Sequence, residues 1–403
     1  MRYIFHSFAA MLLTCSCGLF SPDDVKNPNV GSSDFETSPQ AMTLWVNGAK
    51  ANFAVAMGNF AEYTGLLSDD LYNNSSRSSK TYDQLDINYT DGEVFKLSTH
   101  IGKLLQTTDY GLDILVNRAP DVTDDLLFHL HYIRACAYLL AGENFVALPS
   151  EAHGEVMEGD GLITLALKEL DNSEETACSA RDRALLALLK ARGLRDLGRM
   201  SEAVEYAKLS LNYSPVLLYN VEFDGFNGCN NSLHEYIALG LFTILDRMQY
   251  QVVKFPMADY WNEPIAIAKS EEAYLIMAEA AAWEGRLDEA RTQLELMLQL
   301  VEDRASTATM TSVTAEQLAE VTDRDSMLVT IYLLRQEVFF GEARRSADLG
   351  IRLPMAQVEV MEYDELPAQY SKPFIPAYLD SIRTEIDKHE DMNDLLVEWL
   401  TEK

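Results

Sequence analysis

Positive charge is what this sequence has least of. Its 403 residues carry 32 Lys and Arg against 63 Asp and Glu, a formal net charge of −31. No basic stripe of the kind that neutralises phosphate is present, which argues against nucleic acid as a partner. Cysteine is also scarce. Of five residues, Cys15 and Cys17 lie near the start, and Cys136, Cys178 and Cys229 are odd in number and widely spaced, so there is neither a disulfide framework nor a CxxC motif. Cys136 falls in an apolar helical stretch and reads as a small core residue. A GxSxG elbow, a P-loop and an HExxH motif are all missing. His129 and His131 are two residues apart, which on a helix points them to different faces and prevents them from sharing a metal. Glu158-Gly159-Asp160-Gly161 lacks the third glycine of a dinucleotide loop and reads as a turn before a helix. Asn220 to Gly225 alternates oxygen ligands before a glycine as an EF-hand does, but its twelfth position is Asn231 and not the bidentate Glu. No metal, cofactor or catalytic residue is therefore expected. Paired carboxylates for glycoside hydrolysis stay open, because their separation of ~5 to 10 Å is not written in a sequence.

What the chain does have is apolar material in helical order. Hydrophobic residues make up 48% of it, ample for a large core. From about Ala41 onward apolar residues recur every three or four positions, whereas sustained two-residue alternation is rare, so the fold class is mostly α. Helices are predicted over Pro39–Leu67, Gly92–Asn117, Thr123–Ala141, Gly161–Leu170, Ala180–Leu197 and Ser201–Asn212. A second group covers Ser270–Glu284, Leu287–Arg304, Thr314–Glu320, Arg324–Ala343 and Ile375–Glu402. Gly198-Arg-Met-Ser-Glu-Ala203 and Gly285-Arg-Leu-Asp-Glu-Ala290 each separate two helices as the turn of a tetratricopeptide-like hairpin does. Gly ends one helix, Ser201 or Asp288 is expected to cap the next, and Ala203 or Ala290 permits close packing. The two copies are too far apart for adjacent repeats of ~34 residues, so embedded hairpins with long insertions are expected.

Before the helices, Arg2 and the apolar run Phe8–Leu13 form a targeting segment too short to span a bilayer. It closes on Leu13-Thr14-Cys15-Ser16-Cys17, which resembles a bacterial lipobox. Cys17, preceded by the small Ser16, is the expected acylated residue; Cys15 is the alternative, and an ordinary secretory peptide with incidental cysteines is the other reading. The implied organisation is a signal peptide over 1–16, a lipidated tether over 17–38 and one helical domain over 39–403, anchored to a membrane without crossing it. Composition changes in the insertions Ser68–Thr90, Tyr219–Ser232 and Val253–Pro264, which are rich in Asn, Ser and Asp and punctuated by Tyr, Phe and Trp. Such loops either serve function or merely connect.

Five elements in order resemble the SusD/RagB family. The lipobox is followed by Val46-Asn47-Gly48-Ala49 and Leu67-Ser68-Asp69-Asp70. Then come Tyr132-Ile133-Arg134-Ala135-Cys136-Ala137-Tyr138 with Asn144-Phe145 to Pro149, and Glu271-Glu272-Ala273-Tyr274-Leu275-Ile276-Met277-Ala278-Glu279-Ala280 up to Gly285. The last is Arg335-Gln336-Glu337-Val338-Phe339-Phe340 through Arg344-Arg345 to Asp348-Leu349, with Arg352-Leu353-Pro354 after it. Two departures stand out: Ala343 replaces a common Gly, and the chain is short for the family, leaving less room for ligand-shaping loops. The resemblance implies a SusD-like helical fold and a non-enzymatic, outer-membrane, surface-exposed lipoprotein. Its partner would be a TonB-dependent, SusC-like transporter, and its cargo an oligosaccharide or other nutrient. Arg345, Asp348, Glu271, Glu279 and Glu337 are read as structural, Arg345 and Asp348 pairing with each other or with neighbouring helix ends.

Sugar recognition uses aromatic faces with hydrogen-bonding edges, and the insertions offer Tyr72, Asn73, Asn74, Arg77 and Tyr82, then Tyr260, Trp261 and Asn262, as candidate ligand contacts. Two rival functions remain: a helical scaffold binding a protein or peptide, and a surface glycan hydrolase. The anchor can be tested at once. Cells fed a palmitate analogue should label the protein, and Cys17→Ala should abolish labelling; undiminished labelling of that variant moves the site to Cys15, and an unlabelled wild type refutes acylation.

Overall fold

Residues 41–66 form a long, largely apolar helix that is almost wholly buried from Phe53 to Leu66 and partly exposed before that. The structure is a computed structural model describing residues 32–74, 78–244, 251, 260–304, 311–379 and 392–402; Cys15, Cys17 and Arg77 lie outside the described residues. A short turn, α1 (Ser32–Glu36), precedes this central helix, α2 (Ala41–Leu66), and β1 (Leu71–Asn73) follows it. Next come α3 (Gly92–Asp109), α4 (Asp124–Asn144), the strands β2 (Ala147–Pro149) and β3 (Val156–Glu158), and α5 (Gly159–Ser173). The middle holds α6 (Ala180–Asp196), α7 (Met200–Tyr213), β4 (Leu218–Val221), α8 (Ser232–Ala238), β5 (Phe242–Ile244) and β6 (Ile265–Lys269). The last third holds α9 (Ser270–Trp283), α10 (Leu287–Asp303), α11 (Ala315–Glu320), α12 (Arg324–Val338), α13 (Arg345–Asp348), α14 (Gln357–Val360) and α15 (Met392–Glu402). The mostly α architecture is as the periodicity indicates. Among the described residues the strands form three two-stranded antiparallel ladders, β1–β5, β2–β3 and β4–β6.

Three helical hairpins, α4/α5, α6/α7 and α9/α10, stack side by side. Gly198 and Gly285 take left-handed backbone angles, φ 71° and 73°, where a Cβ would be strained. The helices they open begin at Met200 and Leu287, with Arg199 and Arg286 in the capping position and no side-chain cap. Ser201 and Asp288 are thus already helical and cap nothing. Backbone bonds close the turns instead, Arg199 N–H donating to Leu194 O and Arg286 N–H to Ala281 O, both at 2.8 Å. Ala203 and Ala290 are fully buried where the paired helices meet. The long insertion between the second and third hairpins is looped out. Ladder β4–β6 brings its two ends together, and Ser270 locks them, its Oγ accepting from Leu217 N–H at 2.7 Å while its own N–H donates back to Leu217 O at 3.0 Å. Hence α9 packs on α6 and α7 despite the intervening chain.

Some helix ends differ from the sequence reading. Helix α4 continues through Gly142 to Asn144, because that glycine serves packing and not termination: a Cβ there would stand 2.7 Å from Gly159 O of α5. Helix α3 stops at Asp109 and the chain widens into a π-turn over Tyr110–Ile114, where Gly111 leaves room for Trp45 and Leu130. Helix α12 ends at Val338, and Ala343 beyond it adopts φ 59°, which explains why a glycine would suit that position. Toward the C-terminus a 3₁₀ turn, Ala377–Leu379, precedes α15, and the intervening 380–391 lie outside the described residues.

Ionic contacts fill the interior. Arg345 makes a bidentate pair with Asp69, at 2.7 and 2.9 Å, and not with Asp348. Asp348 instead receives Arg335 at 2.8 and 3.0 Å and Arg195 at 3.2 Å. Arg195 also holds Glu279 at 2.7 Å, which accepts from the Tyr332 hydroxyl at 2.8 Å. Glu272 pairs with Arg192 at 2.6 and 2.8 Å and with Arg344 at 3.3 Å, and Arg344 reaches Glu143 at 2.9 Å. Glu271 faces Arg304 at 3.3 Å, and Glu337 accepts from Ser312 N–H at 3.0 Å. Burial alone would raise the carboxyls of Asp348 and Glu272, but the guanidinium groups overcome it at Asp348, which lies well below its ordinary range, and at Glu272, held at about 2 by Arg192 and Arg344. At Glu143 burial prevails over Arg344 and pushes the carboxyl up to about 7.

Glu272→Gln would leave two buried guanidinium groups undercompensated, costing about 3–5 kcal/mol at neutral pH. Because the folded-state value is depressed from 4.5 to about 2, the charge stabilises the fold above pH 4.5 and that contribution disappears as pH falls toward 2. Glu143, shifted upward from 4.5 to about 7, is present in wild type and variant alike, so its own titration is common to both melts. Urea melts should show the gap between wild type and variant narrowing from pH 4.5 to pH 3; a constant gap would mean that Glu272 is not ionised in the folded protein.

Candidate functional site

Two of the polar insertions meet on the short helix α8. Its N-cap residue, Asn231, is fully buried and accepts from His234 N–H at 3.2 Å. The same residue grips the later loop: its backbone N–H donates to Trp261 O at 3.0 Å and its Nδ2 to Glu263 O at 2.7 Å. Beyond the other end of α8, Leu241 O accepts from Asn74 N–H at 2.9 Å, and β5 pairs with β1 so that Tyr72 lies opposite Thr243. Seven helical residues span about 10 Å, which sets the scale separating the Asn74 and Trp261 loops. Helix α8 rests on the middle of α2, where Gly58 lies against Ser232 and Phe223.

Around Trp261 the chain is closely fitted. Asn262 Oδ1 accepts from Gly225 N–H at 2.8 Å, and a Cβ on Gly225 would sit 3.0 Å from Trp261 Cβ and 3.3 Å from Asn262 Oδ1. Trp261 is 47% exposed and meets Tyr260 edge to face with ring centres 4.9 Å apart. Asn230 Oδ1 lies 3.4 Å from where that Gly225 Cβ would be. This oxygen is buried beneath the loop and has no hydrogen-bond donor among the described residues.

The candidate residues separate into distinct groups. Trp261 and Tyr260 offer ring surface, Tyr72 is half-buried on the outward side of β1, and exposed Asn74 donates through Nδ2 to Thr243 Oγ1. Asn262 is committed to holding Gly225. Asn73 is fully buried, its backbone N–H donating to the Asp83 carboxylate at 3.1 Å. Tyr82, 1% exposed, stacks on Tyr63 at 5.4 Å in the core, and burial raises its hydroxyl far above the ordinary range. Neither Asn73 nor Tyr82 has a face turned to a surface ligand. The first insertion therefore begins as core, since Ser68, Asp69 and Asp70 are buried as well. Asn230 and Asn231 were not singled out by sequence reasoning, although an Asn just before the helical Ser-Leu-His-Glu is an N-cap signal that would have found the second.

No protein-family model matches the chain, and no curated protein matches it. Solved structures do. One is a SusD superfamily protein from Bacteroides fragilis, with a TM-score of 0.60, 16% identity, and coverage of 82% of this chain and 99% of that one. A SusD-like carbohydrate-binding protein from Bacteroides vulgatus gives 0.57, 13%, 78% and 83%, and B. fragilis NanU gives 0.55, 12%, 88% and 97%. This chain has the SusD-like fold. At such identities the likeness speaks for architecture, and the hairpin stack with its looped-out insertion is this chain's version of that architecture. Within the SusD-like fold no three His, Cys, Asp or Glu side chains among the described residues converge as metal ligands would, and no helix among them is long and apolar enough to cross a membrane.

Core and surface aromatics should respond differently to truncation. Tyr82→Ala should cost about 3–5 kcal/mol, whereas Trp261→Ala should cost less than about 1 kcal/mol, as surface substitutions do. Thermal melts of the two variants check this, and a Trp261→Ala loss equal to that of Tyr82→Ala would place both rings in the core.

Proposed function

We propose that this protein is a surface lipoprotein that binds an oligosaccharide at the loops carried by α8 and passes it to a TonB-dependent outer-membrane transporter, without chemical turnover. The observation that carries the reading is the indole of Trp261, 47% exposed on a closely fitted loop and set edge to face against Tyr260. A pyranose presents an apolar face, and an exposed ring on a rigid support matches it. Tyr260, Tyr72 and Asn74 extend the surface, and Arg77 belongs to the same insertion. Support for the ligand class comes from the solved SusD-like relative described as carbohydrate-binding.

The attachment proposed is acylation of Cys17 after removal of residues 1–16, with 17–38 as tether to a single SusD-like domain over 39–403 at the cell exterior. Glu36, at the end of that tether, is clasped by Tyr110 at 2.5 Å and Arg118 at 2.6 Å, and Asp121 accepts from Met42 and Thr43 N–H at 2.9 Å. These contacts hold the point where the tether would join the domain.

Calorimetric titration of the purified protein with a panel of soluble glycans should find a saturable ligand, and Trp261→Ala should weaken it at least about tenfold, equivalent to about 1.4 kcal/mol. The glycan should be recovered unchanged. Absence of binding across the panel, or unchanged affinity in a stable Trp261→Ala variant, removes the site; glycan cleavage lost on substituting a carboxylate pair replaces the binder with a hydrolase. Co-purification of a TonB-dependent transporter from detergent-solubilised membranes checks the partner, and its absence under conditions that preserve other transporter complexes counts against it.

A further inference from the structure

The dipeptide Asn-Gly occurs at Asn47-Gly48 and again at Asn227-Gly228. It is the pair in which an asparagine amide is most open to attack by the backbone nitrogen that follows it, because glycine has no Cβ to hinder the approach. Both copies are exposed at the surface, and a Cβ on either glycine would meet nothing within 4 Å. Their backbones differ. Asn47-Gly48 lies inside α2, where the Gly48 N–H is held in the helical ladder and cannot open without its neighbours. Asn227 is instead the last residue of a single 3₁₀ turn, Gly225–Asn227, and Gly228 follows it in the left-handed region at φ 78°. The Gly228 N–H donates to Gly225 O at 3.3 Å and the Asn227 N–H to Asp224 O at 3.1 Å. Long bonds of 3₁₀ geometry at a loop tip open far more readily than those of a helix interior.

The contacts of the amide in this turn determine what its loss would do. Asn227 Nδ2 donates to Asp224 Oδ2 at 2.5 Å. Asp224 exchanges backbone bonds with Cys229 in both directions, at 2.9 and 3.0 Å, and Gly225 beside it gives its N–H to Asn262 Oδ1 at 2.8 Å, next to Trp261. Converting the amide to a carboxylate replaces a donor by an acceptor that carries the same charge as Asp224. Isoaspartate, the alternative product, adds a methylene to the main chain of a turn whose register the Asp224–Cys229 bonds set. Either product breaks the arrangement on which the Gly225–Asn262 bond depends.

We propose that Asn227 is a site of spontaneous deamidation, and that the modification releases the turn supporting the Trp261 loop. The Gly228 nitrogen, its proton taken by hydroxide, bonds to Asn227 Cγ; the Cγ–Nδ2 bond breaks and that nitrogen leaves as ammonia with a proton from water, which restores the hydroxide. Water then opens the succinimide at either carbonyl to give aspartate or isoaspartate, so one water is consumed and one ammonia released. The modification stands independently of the glycan reading. Purified protein is incubated at 37 °C and pH 8 and followed by peptide mass spectrometry, with isoaspartate counted by enzymatic methylation. Asn227 should convert at least tenfold faster than Asn47 in the folded protein, whereas in denaturing urea the two should convert at similar rates, because the preference belongs to the folded backbone. The deamidated fraction, separated by anion exchange, should show faster hydrogen exchange over 224–229 and 260–263 with α6 and α9 unchanged, and fresh Asn227→Asp should do the same. Conversion of Asn227 no faster than that of Asn47, an equal preference persisting in urea, or unaltered exchange over 260–263 in the deamidated protein would each overturn the proposal.

Discussion

Removing one partner from any of the buried arginine–carboxylate pairs would strand a charge away from water, and the arrangement of the helices follows from that penalty. Asp69 lies just past α2, Glu143 in α4, Arg192 and Arg195 in α6, Glu272 and Glu279 in α9, Arg335 in α12, and Arg345 and Asp348 in α13. Each bidentate pair fixes a distance and an orientation together. Apolar helix faces can slide by a turn at modest cost, but a guanidinium that loses its carboxylate cannot be satisfied elsewhere in a dry interior. The network therefore defines the register of the hairpin stack, while the apolar residues around it supply the driving force for burial.

That division explains where loops are free to vary. Ladder β4–β6 and the reciprocal Leu217–Ser270 bonds return the chain to the stack, so everything between them can be exchanged without disturbing α6, α7 or α9. The 214–269 insertion uses this freedom to project α8, and α8 in turn presents the Trp261 loop at one end and the β1 loop at the other. Rigidity is passed outward: Gly58 of α2 admits α8, Asn231 holds residues 261 and 263, and Asn262 holds Gly225. An aromatic platform on such a support loses little entropy on meeting a ligand.

Helix type and order were legible because three- and four-residue spacing of apolar residues is a local signal, and Gly198 and Gly285 mark hairpins through a requirement of single residues. The helix starts after them were not, because the caps are backbone bonds and Ser201 and Asp288 look like caps without serving as such. Nor was the Asp69–Arg345 pair legible: the partners are 276 positions apart, and nothing in the composition of Ser68–Thr90 shows that its first residues are core. Tyr82 fails for the same reason, since a polar neighbourhood in sequence does not reveal a ring turned inward onto Tyr63. Trp261 was named from composition, but its exposure and the buried Oδ1 of Asn230 beside it required coordinates, because exposure is defined by what surrounds a residue in space.

The surface charge bears on which ligands the molecule attracts. The buried network nearly neutralises itself, so the excess of −31 resides largely on the outside, where it repels anions and concentrates cations. A neutral ligand is indifferent to that field, and contact with an exposed ring such as Trp261 requires no charge. Long-range attraction thus raises the local concentration of cations without choosing a site, and any choice falls to short-range features of shape, ring surface and hydrogen bonding.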